Sequence, residues 1–531
     1  MSLVYPPITV PLEPLTFPLR RTAEQYPGKV AVIEPEKGGK EYSYRWLEEN
    51  SSALAASLAS MGVEPQDHIA LWMKNSLEYI LSFYGILKAG GVVVPISTHY
   101  GEREVLHQLK ETEVKGMIAS DNLYAQAESL LSEVQGLRFV VLEGQALNHA
   151  GTGPGERPLA AVPLSTLLAR SDRLDRSIGI DPKEEIAVLP FSSGTTGLPK
   201  GVMLTHFNLL SCLYQVVQVH EISEMDVMIN QLPFFHIYGM TVLMGTSIMA
   251  GATQVLASRF RPVDEFLSLF ETYRPTLFFT VPLIIQEFCH HPKVLTMDWS
   301  RLRYVNAGGA VLSPDVQERF TQITGVPVMQ GYGLTESSPT THVTPIGKIK
   351  TGSIGLPLFA TEDKIVDPET GAELGPWETG ELWVRGPQVM KGYYNDPQAT
   401  AQALVNGWLR TGDLARKDEE GYVYVVDRLK EVIKCRGFQV PPAEIENILL
   451  SHPDIKDAAV IGESHPEYGE VPIAYVVLRD KASLVSEDII QYAGQGLAKY
   501  KRLAKVVFTE TIPRSASGKV LRRLLKNSPS V

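Results

Sequence analysis

Cysteine is scarce in this chain: three residues in 531, Cys212, Cys289 and Cys435, with no close spacing between any two. That excludes a disulfide scaffold and a thiolate zinc cluster, and it points to a reducing, cytoplasmic setting. Unbroken apolar runs are missing too. Val227 to Ser258 contains no Asp, Glu, Lys or Arg, but Asn230, Gln231, Pro233, His236 and Gln254 interrupt it. It reads as buried strands and a helix, so no transmembrane segment is expected. Prolines stand where a secretory leader needs an apolar helix, and the C-terminal NSPSV matches no retention or peroxisomal address. Excess positive charge is also absent. Lys and Arg number 49 against 60 Asp and Glu, a net charge of −11, which repels nucleic acid and anionic membrane surfaces. With 43 Gly and 36 Pro the chain is neither collagen-like nor broadly disordered.

What is present is enough chain for about three or four folding units. Short β-branched runs at Ile186 to Leu189, Val227 to Leu232, Thr253 to Ala257, Thr276 to Val281 and Pro327 to Gln330 alternate with helical patterns. Such alternation predicts an α/β architecture, with parallel sheets covered by helices. Thr205 is placed to cap a helix whose apolar face carries Leu209, Leu210, Leu213, Val216 and Val217. Gly151 to Pro158 reads as a surface loop, and Asp367 to Trp377 punctuates a third region of short strands that ends near Val426. The charge then changes sign: residues 427–531 hold 16 basic and 13 acidic side chains, a net +3, and the remainder carries −14. The expected organisation is a large domain over 1–426, with subregions near 1–185, 186–345 and 346–426, and a small α+β domain over 427–531.

The densest chemical signal is Ser192-Ser193-Gly194-Thr195-Thr196-Gly197-Leu198-Pro199-Lys200-Gly201, set directly after a predicted strand. Glycines let backbone N–H groups turn toward one point, hydroxyls add donors and Lys200 adds charge, a combination suited to polyphosphate. The Walker pattern does not apply, because Lys200 lies between Pro199 and Gly201. Further along come PFFH at Pro233, NAGGA at Asn306, QGYGLTE at Gln330, GWLRTGD at Gly407, DRLK at Asp427 and PRSASGK at Pro513. With the loop, these ordered motifs closely resemble the adenylate-forming superfamily of acyl-CoA synthetases, firefly-type luciferases and adenylation domains, in its acyl- or aryl-CoA ligase branch.

The resemblance implies attack of a carboxylate on the α-phosphorus of ATP, then thiol attack on the acyl-adenylate, so that ATP, Mg²⁺ and coenzyme A are the expected partners. Thr195, Thr196 and Lys200 would meet the β- and γ-phosphates, Thr335 the α-phosphate, and Glu336 would carry Mg²⁺. Tyr332, between Gly331 and Gly333, would lie against adenine. Asp413 would bind the ribose, helped by Arg428, for which an interdomain ion pair is a competing use. Gly309 and Ala310 complete the implied nucleotide set. Lys519 would bridge carboxylate and phosphate oxygens as charge develops in the first half-reaction. Asp427 to Lys430 matches the family's hinge, with Lys430 as the pivot. Rotation there would withdraw Lys519 and present Lys434, Cys435, Arg436 and Gly437 to CoA, Cys435 serving as a strand residue rather than a nucleophile.

His236, in isolation a core histidine, is implied to line the acyl slot with Ile237, Tyr238, Met240, Gly308, Gly309, Ala310 and Ser338. No Asp stands between Phe234 and Met240 to hold an α-ammonium group, which favours a hydrophobic acid over an amino acid. Between Lys499 and Val531 there are nine basic residues and one acidic, a charge suited to CoA phosphates. The leading reading is an ATP-dependent acid:CoA ligase for a fatty or aryl acid, with a homodimer allowed. Its alternatives are an enzyme loading a separate carrier protein, a luciferase-like oxygenase and a non-catalytic nucleotide binder. Coumarate:CoA ligases share FHIYG, but Gly380 to Gly386 (GELWVRG) replaces their second cysteine-containing box.

Overall fold

The computed structural model describes residues 5–125, 133–144, 160–169, 179–192, 199–436, 438–479, 482–495, 497–515 and 518–526. The surface-loop expectation at 151–158 lies outside them.

Two large sheets form the body. In the first, the parallel strands Val30–Glu34, Thr253–Leu256, Val227–Asn230, Leu277–Thr280, Tyr304–Ala307 and Val328–Gly333 lie side by side, with antiparallel strands closing both edges. In the second, Ile186–Val188, Val92–Pro95, His68–Trp72, Gly116–Ala119, Phe139–Leu142 and Ala160–Pro163 run parallel, and Lys200–Thr205 and Gly392–Tyr393 add an antiparallel edge. The period of two assigns the faces. Ile69 and Leu71 join the cluster that holds Leu47, Leu54 and Ile80 from the helices Tyr44–Ser60 and Leu77–Lys88, whereas Ala70 and Trp72 meet Val105 and Leu109 of the helix Glu102–Glu111. The first cluster also takes in Val255, Leu277 and Val305, so both sheets share one core. This is the layered α/β architecture that the alternation predicts.

The predicted strands are all present, shortened or shifted at their ends. Thr205 caps the helix His206–His220, its hydroxyl accepting the Asn208 N–H at 3.1 Å. The charge-free stretch from Val227 resolves into two strands, a π-helical segment Tyr238–Gly245 and a helix Thr246–Ala250. Among the described residues no helix is long and apolar enough to cross a membrane. The sequence-order subregions need correction. Val30–Glu34 and Lys40–Ser43 belong to the sheet of residues 227–357, and Ile186–Val188 belongs to the earlier one. Pairing does not follow chain order, so a limit near 185 cuts across both sheets.

A third, antiparallel sheet contains Glu362–Val366, Gly380–Arg385, Trp408–Lys417 and Val423–Arg428. Beyond Arg428 the chain builds a smaller domain on a separate sheet, in which Ile455–His465 and Gly469–Leu478 form the long antiparallel pair. Its strands alternate too. Ala458 and Val460 face one apolar cluster and Ala459 and Ile461 another.

Candidate active site

A cavity of about 1050 Å³ opens where the carboxyl ends of both parallel sheets meet the third sheet and the small domain. Open α/β sheets leave their ligand crevices at that edge. Most sequence-predicted residues that the structure describes line it. Lys200 and Ser192 enter from the second sheet, Gly308 and Gly309 follow Tyr304–Ala307, and Gly331, Tyr332, Gly333, Thr335 and Glu336 follow the next strand. Arg428 and Lys430 reach it from the third sheet's last strand and its exit, and Lys519 from the small domain. Ser193, Gly194, Thr195, Thr196, Gly197 and Gly437 lie outside the described residues.

One side of the cavity is built from paired strands. Asp413 stands opposite Arg428 in the antiparallel register, and its carboxylate meets the Arg428 Nε at 3.2 Å. The two residues stand on neighbouring strands of one sheet, at the junction with the small domain. The other oxygen of Asp413 accepts the Tyr332 hydroxyl at 2.5 Å. Burial, together with that carboxylate, pushes the Tyr332 phenol well up and keeps it protonated as a donor. The turn itself rests on Glu381, buried in the cavity wall, which accepts the Gly412 N–H at 3.2 Å and is held by the Arg410 fork at 2.9 and 3.1 Å. The glycines around Tyr332 have a packing reason beyond adenine access. A Cβ at Gly333 would collide with the Pro339 carbonyl, and one at Gly331 would press the Asn306 amide at 3.1 Å.

Glu336 lies in a short 3₁₀ turn, Thr335–Ser337, and accepts the Tyr393 hydroxyl on one oxygen at 2.9 Å. Among the described residues no group of three or more His, Cys, Asp or Glu could hold a metal ion alone. One carboxylate facing a cavity nevertheless fits Mg²⁺, which keeps waters and substrate phosphates as most of its ligands. Lys519 is held by its loop. Arg514 donates to the Gly518 carbonyl at 2.7 Å and forks onto Asp457 at 2.6 and 3.2 Å. Burial, then the nearby Arg428 charge, push the Lys519 ammonium down to about 8.

Another side of the cavity is apolar. Phe235, Ile237, Tyr238 and Val242 line it together with Gly308, where a Cβ would crowd the Tyr238 ring at 3.1 Å. His236 also faces the cavity, and its Nδ1 accepts the Tyr238 N–H at 3.2 Å. Removal from bulk water pushes its imidazole down to about 4, which leaves it neutral. The segment can turn there because residue 239 is glycine, since a Cβ would strike the Pro233 carbonyl. Three expected slot residues are corrected. Met240 packs beneath the wall beside Leu15 and Phe83, Ser338 is fully buried behind it, and Ala310 is exposed outside the lining. Asp413 likewise acts from behind Tyr332 rather than from the wall. Lys434, Cys435 and Arg436 also stand away from the cavity. The Lys434 N–H donates to Glu470, Cys435 is buried, and the Arg436 guanidinium lies 3.7 Å above the Tyr468 ring centroid.

The sequence family to which this arrangement belongs follows from direct comparison. The AMP-binding enzyme family matches residues 19–394, and the AMP-binding enzyme C-terminal domain matches residues 444–519. The chain belongs to the AMP-binding enzyme family. This AMP-binding enzyme is 35% identical to a probable 4-coumarate–CoA ligase 1 of Dictyostelium discoideum, over 98% of its own length and 96% of the relative. It is also 35% identical to a long-chain-fatty-acid–CoA ligase of Bacillus subtilis (strain 168), over 98% and 95%. Among solved structures it resembles an anthranilate CoA ligase in complex with anthranoyl-AMP, with a TM-score of 0.89, 25% identity and 97% of each chain covered. ATP-bound MatB from Rhodopseudomonas palustris superposes with a TM-score of 0.85 at 28% identity, over 97% of this chain and 98% of that one.

Sequence reasoning missed several residues of this AMP-binding enzyme's cavity. His220 and Asn306 line its acyl side, the Asn306 Nδ2 donating to the Tyr238 hydroxyl at 3.2 Å while its Oδ1 is buried without a partner among the described residues. His220 ends an amphipathic helix and carries no local signal, whereas Asn306 sits inside a quoted motif. Tyr393 was missed because a two-residue strand has no periodicity to read.

Proposed function

We propose that this chain is an AMP-forming acid–CoA ligase that joins a hydrophobic carboxylic acid, fatty or aryl, to CoA through an acyl-adenylate. The observation that carries the reading is the meeting of Lys519, Thr335 and the Tyr332–Asp413–Arg428 group with an apolar slot in one cavity. Lys519 and Arg428 share the cavity with the apolar Phe235, Ile237 and Val242, which supports a reading in which the acid's carboxylate faces the cations.

In the first half-reaction a carboxylate oxygen attacks the α-phosphorus of ATP, a C–O–P linkage forms and pyrophosphate leaves. Two anions approach each other, so positioned cations are the main requirement. Lys519 spans the gap between carboxylate and α-phosphate, Thr335 donates to the α-phosphate, and Lys200 faces the β- and γ-phosphates with the loop before it. Mg²⁺, which Glu336 would hold, supplies further neutralisation of phosphate charge. Tyr332 and Asp413 orient adenine and ribose. In the second half-reaction the CoA thiol, losing its proton, attacks the acyl carbonyl and AMP departs.

Lys519 cannot fill the site while CoA enters along the small-domain face. The proposed boundary is residue 427 and the proposed pivot Asp427 to Lys430, which spans the end of the third sheet's last strand, Val423–Arg428, ahead of the first strand of the small domain, Ile433–Cys435. Rotation there would exchange Lys519 for Lys434, Cys435, Arg436 and Gly437. The setting is read as cytoplasmic, in keeping with three buried free thiols, and a homodimer is checked by light scattering.

The deciding experiment incubates the chain with ATP, Mg²⁺, CoA and a panel of fatty and aryl acids and follows AMP release. AMP and acyl-CoA formed together, with CoA required, are the expected result. Turnover that needs a carrier protein instead, or oxygen, would replace this reading with one of its alternatives.

A further inference from the structure

Tyr393 touches both ends of the expected triphosphate site. It lies in the two-residue strand Gly392–Tyr393, which pairs with Lys200–Thr205 in the register Val202 to Tyr393. That pairing sets the Lys200 ammonium 5.4 Å from the Tyr393 ring centroid. The phenol of the same residue donates to Glu336 at 2.9 Å. Asp396 completes the arrangement. One of its oxygens accepts the Ala399 N–H at 2.8 Å and caps the helix Pro397–Ala403, and the other meets the Lys200 ammonium at 2.9 Å. Lys200 therefore has an anionic partner already, on a part-exposed pair with side chains 40% and 36% accessible. An ion pair of that exposure is weak, and a doubly charged terminal phosphate outcompetes a single carboxylate for the same ammonium.

We propose that Tyr393 and Asp396 are positioning residues of the phosphate site. Asp396 parks Lys200 over the Tyr393 ring until the nucleotide's β- and γ-phosphates take it, and the Tyr393 hydroxyl fixes the Glu336 carboxylate in the orientation from which it meets the nucleotide-borne cation. The proposal rests on the ligase reading above, specifically on Lys200 facing the terminal phosphates.

Two variants of the full chain separate the parts. Asp396→Asn keeps a helix cap and removes the competing charge. Tyr393→Phe keeps the ring beneath Lys200 and removes only the hydroxyl. Calorimetry is run with ATP and with AMP, which has no β- or γ-phosphate. Asp396→Asn should bind ATP about two- to fivefold more tightly, the range of a part-exposed ion pair, with AMP affinity unchanged. Tyr393→Phe should raise the Mg²⁺ concentration for half-maximal ATP binding about tenfold, as expected for one hydrogen bond to a charged group, again with AMP unchanged. Unchanged AMP affinity also reports an intact fold. Equal or weaker ATP binding by Asp396→Asn, or a parallel change in AMP, overturns the parking role. An unmoved Mg²⁺ midpoint in Tyr393→Phe overturns the Glu336 role. A wild-type chain that binds neither nucleotide overturns the ligase reading itself, whereas normal wild-type binding beside unmoved variants overturns only this inference.

Discussion

Lys519 combines a required positive charge with a site that disfavours it. Burial and the Arg428 guanidinium push its ammonium down to about 8 in the nucleotide-free chain, against about 10.4 for an unperturbed lysine. On the proposed role of Lys519 the protonated form is the active one, so adenylation should be present below this pKa and fall as pH rises through it. Bound ATP adds negative charge beside the ammonium and raises its pKa again. The alkaline limb of kcat/KM for the first half-reaction, which reports the free enzyme, should therefore lie near pH 8 and that of kcat higher. Lys519→Arg should remove both limbs, because a guanidinium keeps its proton throughout. Lys519→Ala should lower adenylation about 10²- to 10³-fold, the scale of one lost charge-stabilising donor. Thioester formation from preformed acyl-adenylate should remain. Pyrophosphate exchange and single-turnover thioesterification read the two steps, and loss of both in a folded variant would contradict the division of labour.

At the scale of elements, the acyl slot ends where the strands Leu277–Thr280 and Tyr304–Ala307 deliver polar groups to an otherwise apolar wall. The Tyr238 hydroxyl is fixed by the Asn306 amide, and Asn306 Oδ1 and Thr280 Oγ1 are buried without partners among the described residues. An unsatisfied buried acceptor costs about 1–3 kcal/mol, and an acid with a donor at its far end recovers that cost where an alkyl tail cannot. Asn306→Leu should therefore lower kcat/KM for hydroxyl-bearing aryl acids about tenfold or more and spare unsubstituted alkyl acids, as read from AMP release across paired acids. Unchanged discrimination would remove Asn306 from acid selection. The sequence made this element legible only in part. The period of the strand around Val305 and the small residues Gly308 and Gly309 could be read locally. The meeting of Asn306 with Tyr238, 68 residues earlier in the chain, comes from sheet order. Tyr393 and Lys200 show the same limit more sharply, because their strands pair through residues as far apart as Val202 and Tyr393 and one of them has only two residues.

For the whole molecule, the charge split seen in the sequence becomes a contact between two bodies. The small domain places Lys519 in the cavity while touching the large domain on the helix Pro282–His290. There Arg479 meets the His290 ring at 3.1 and 3.3 Å, and Gln286 donates to the Lys456 carbonyl at 3.3 Å. Burial pushes the His290 imidazole down, a hydrogen bond to the Gln286 carbonyl works against it, and the Arg479 charge adds to the downward push. These contacts occur together with Lys519 in the cavity, so on the proposed two-arrangement cycle they would favour adenylation over CoA entry. The family motifs pointed to Lys519, which lines the cavity, but Arg479 and His290 lie in no quoted motif, and only the contact between the domains reveals them. Arg479→Ala should therefore slow adenylation about two- to fivefold, the scale of one exposed polar contact, and leave thioester formation from preformed adenylate equal or faster. Rapid-quench measurement of each half-reaction decides the matter: equal slowing of both steps would mean that Arg479 serves general stability rather than the choice between arrangements.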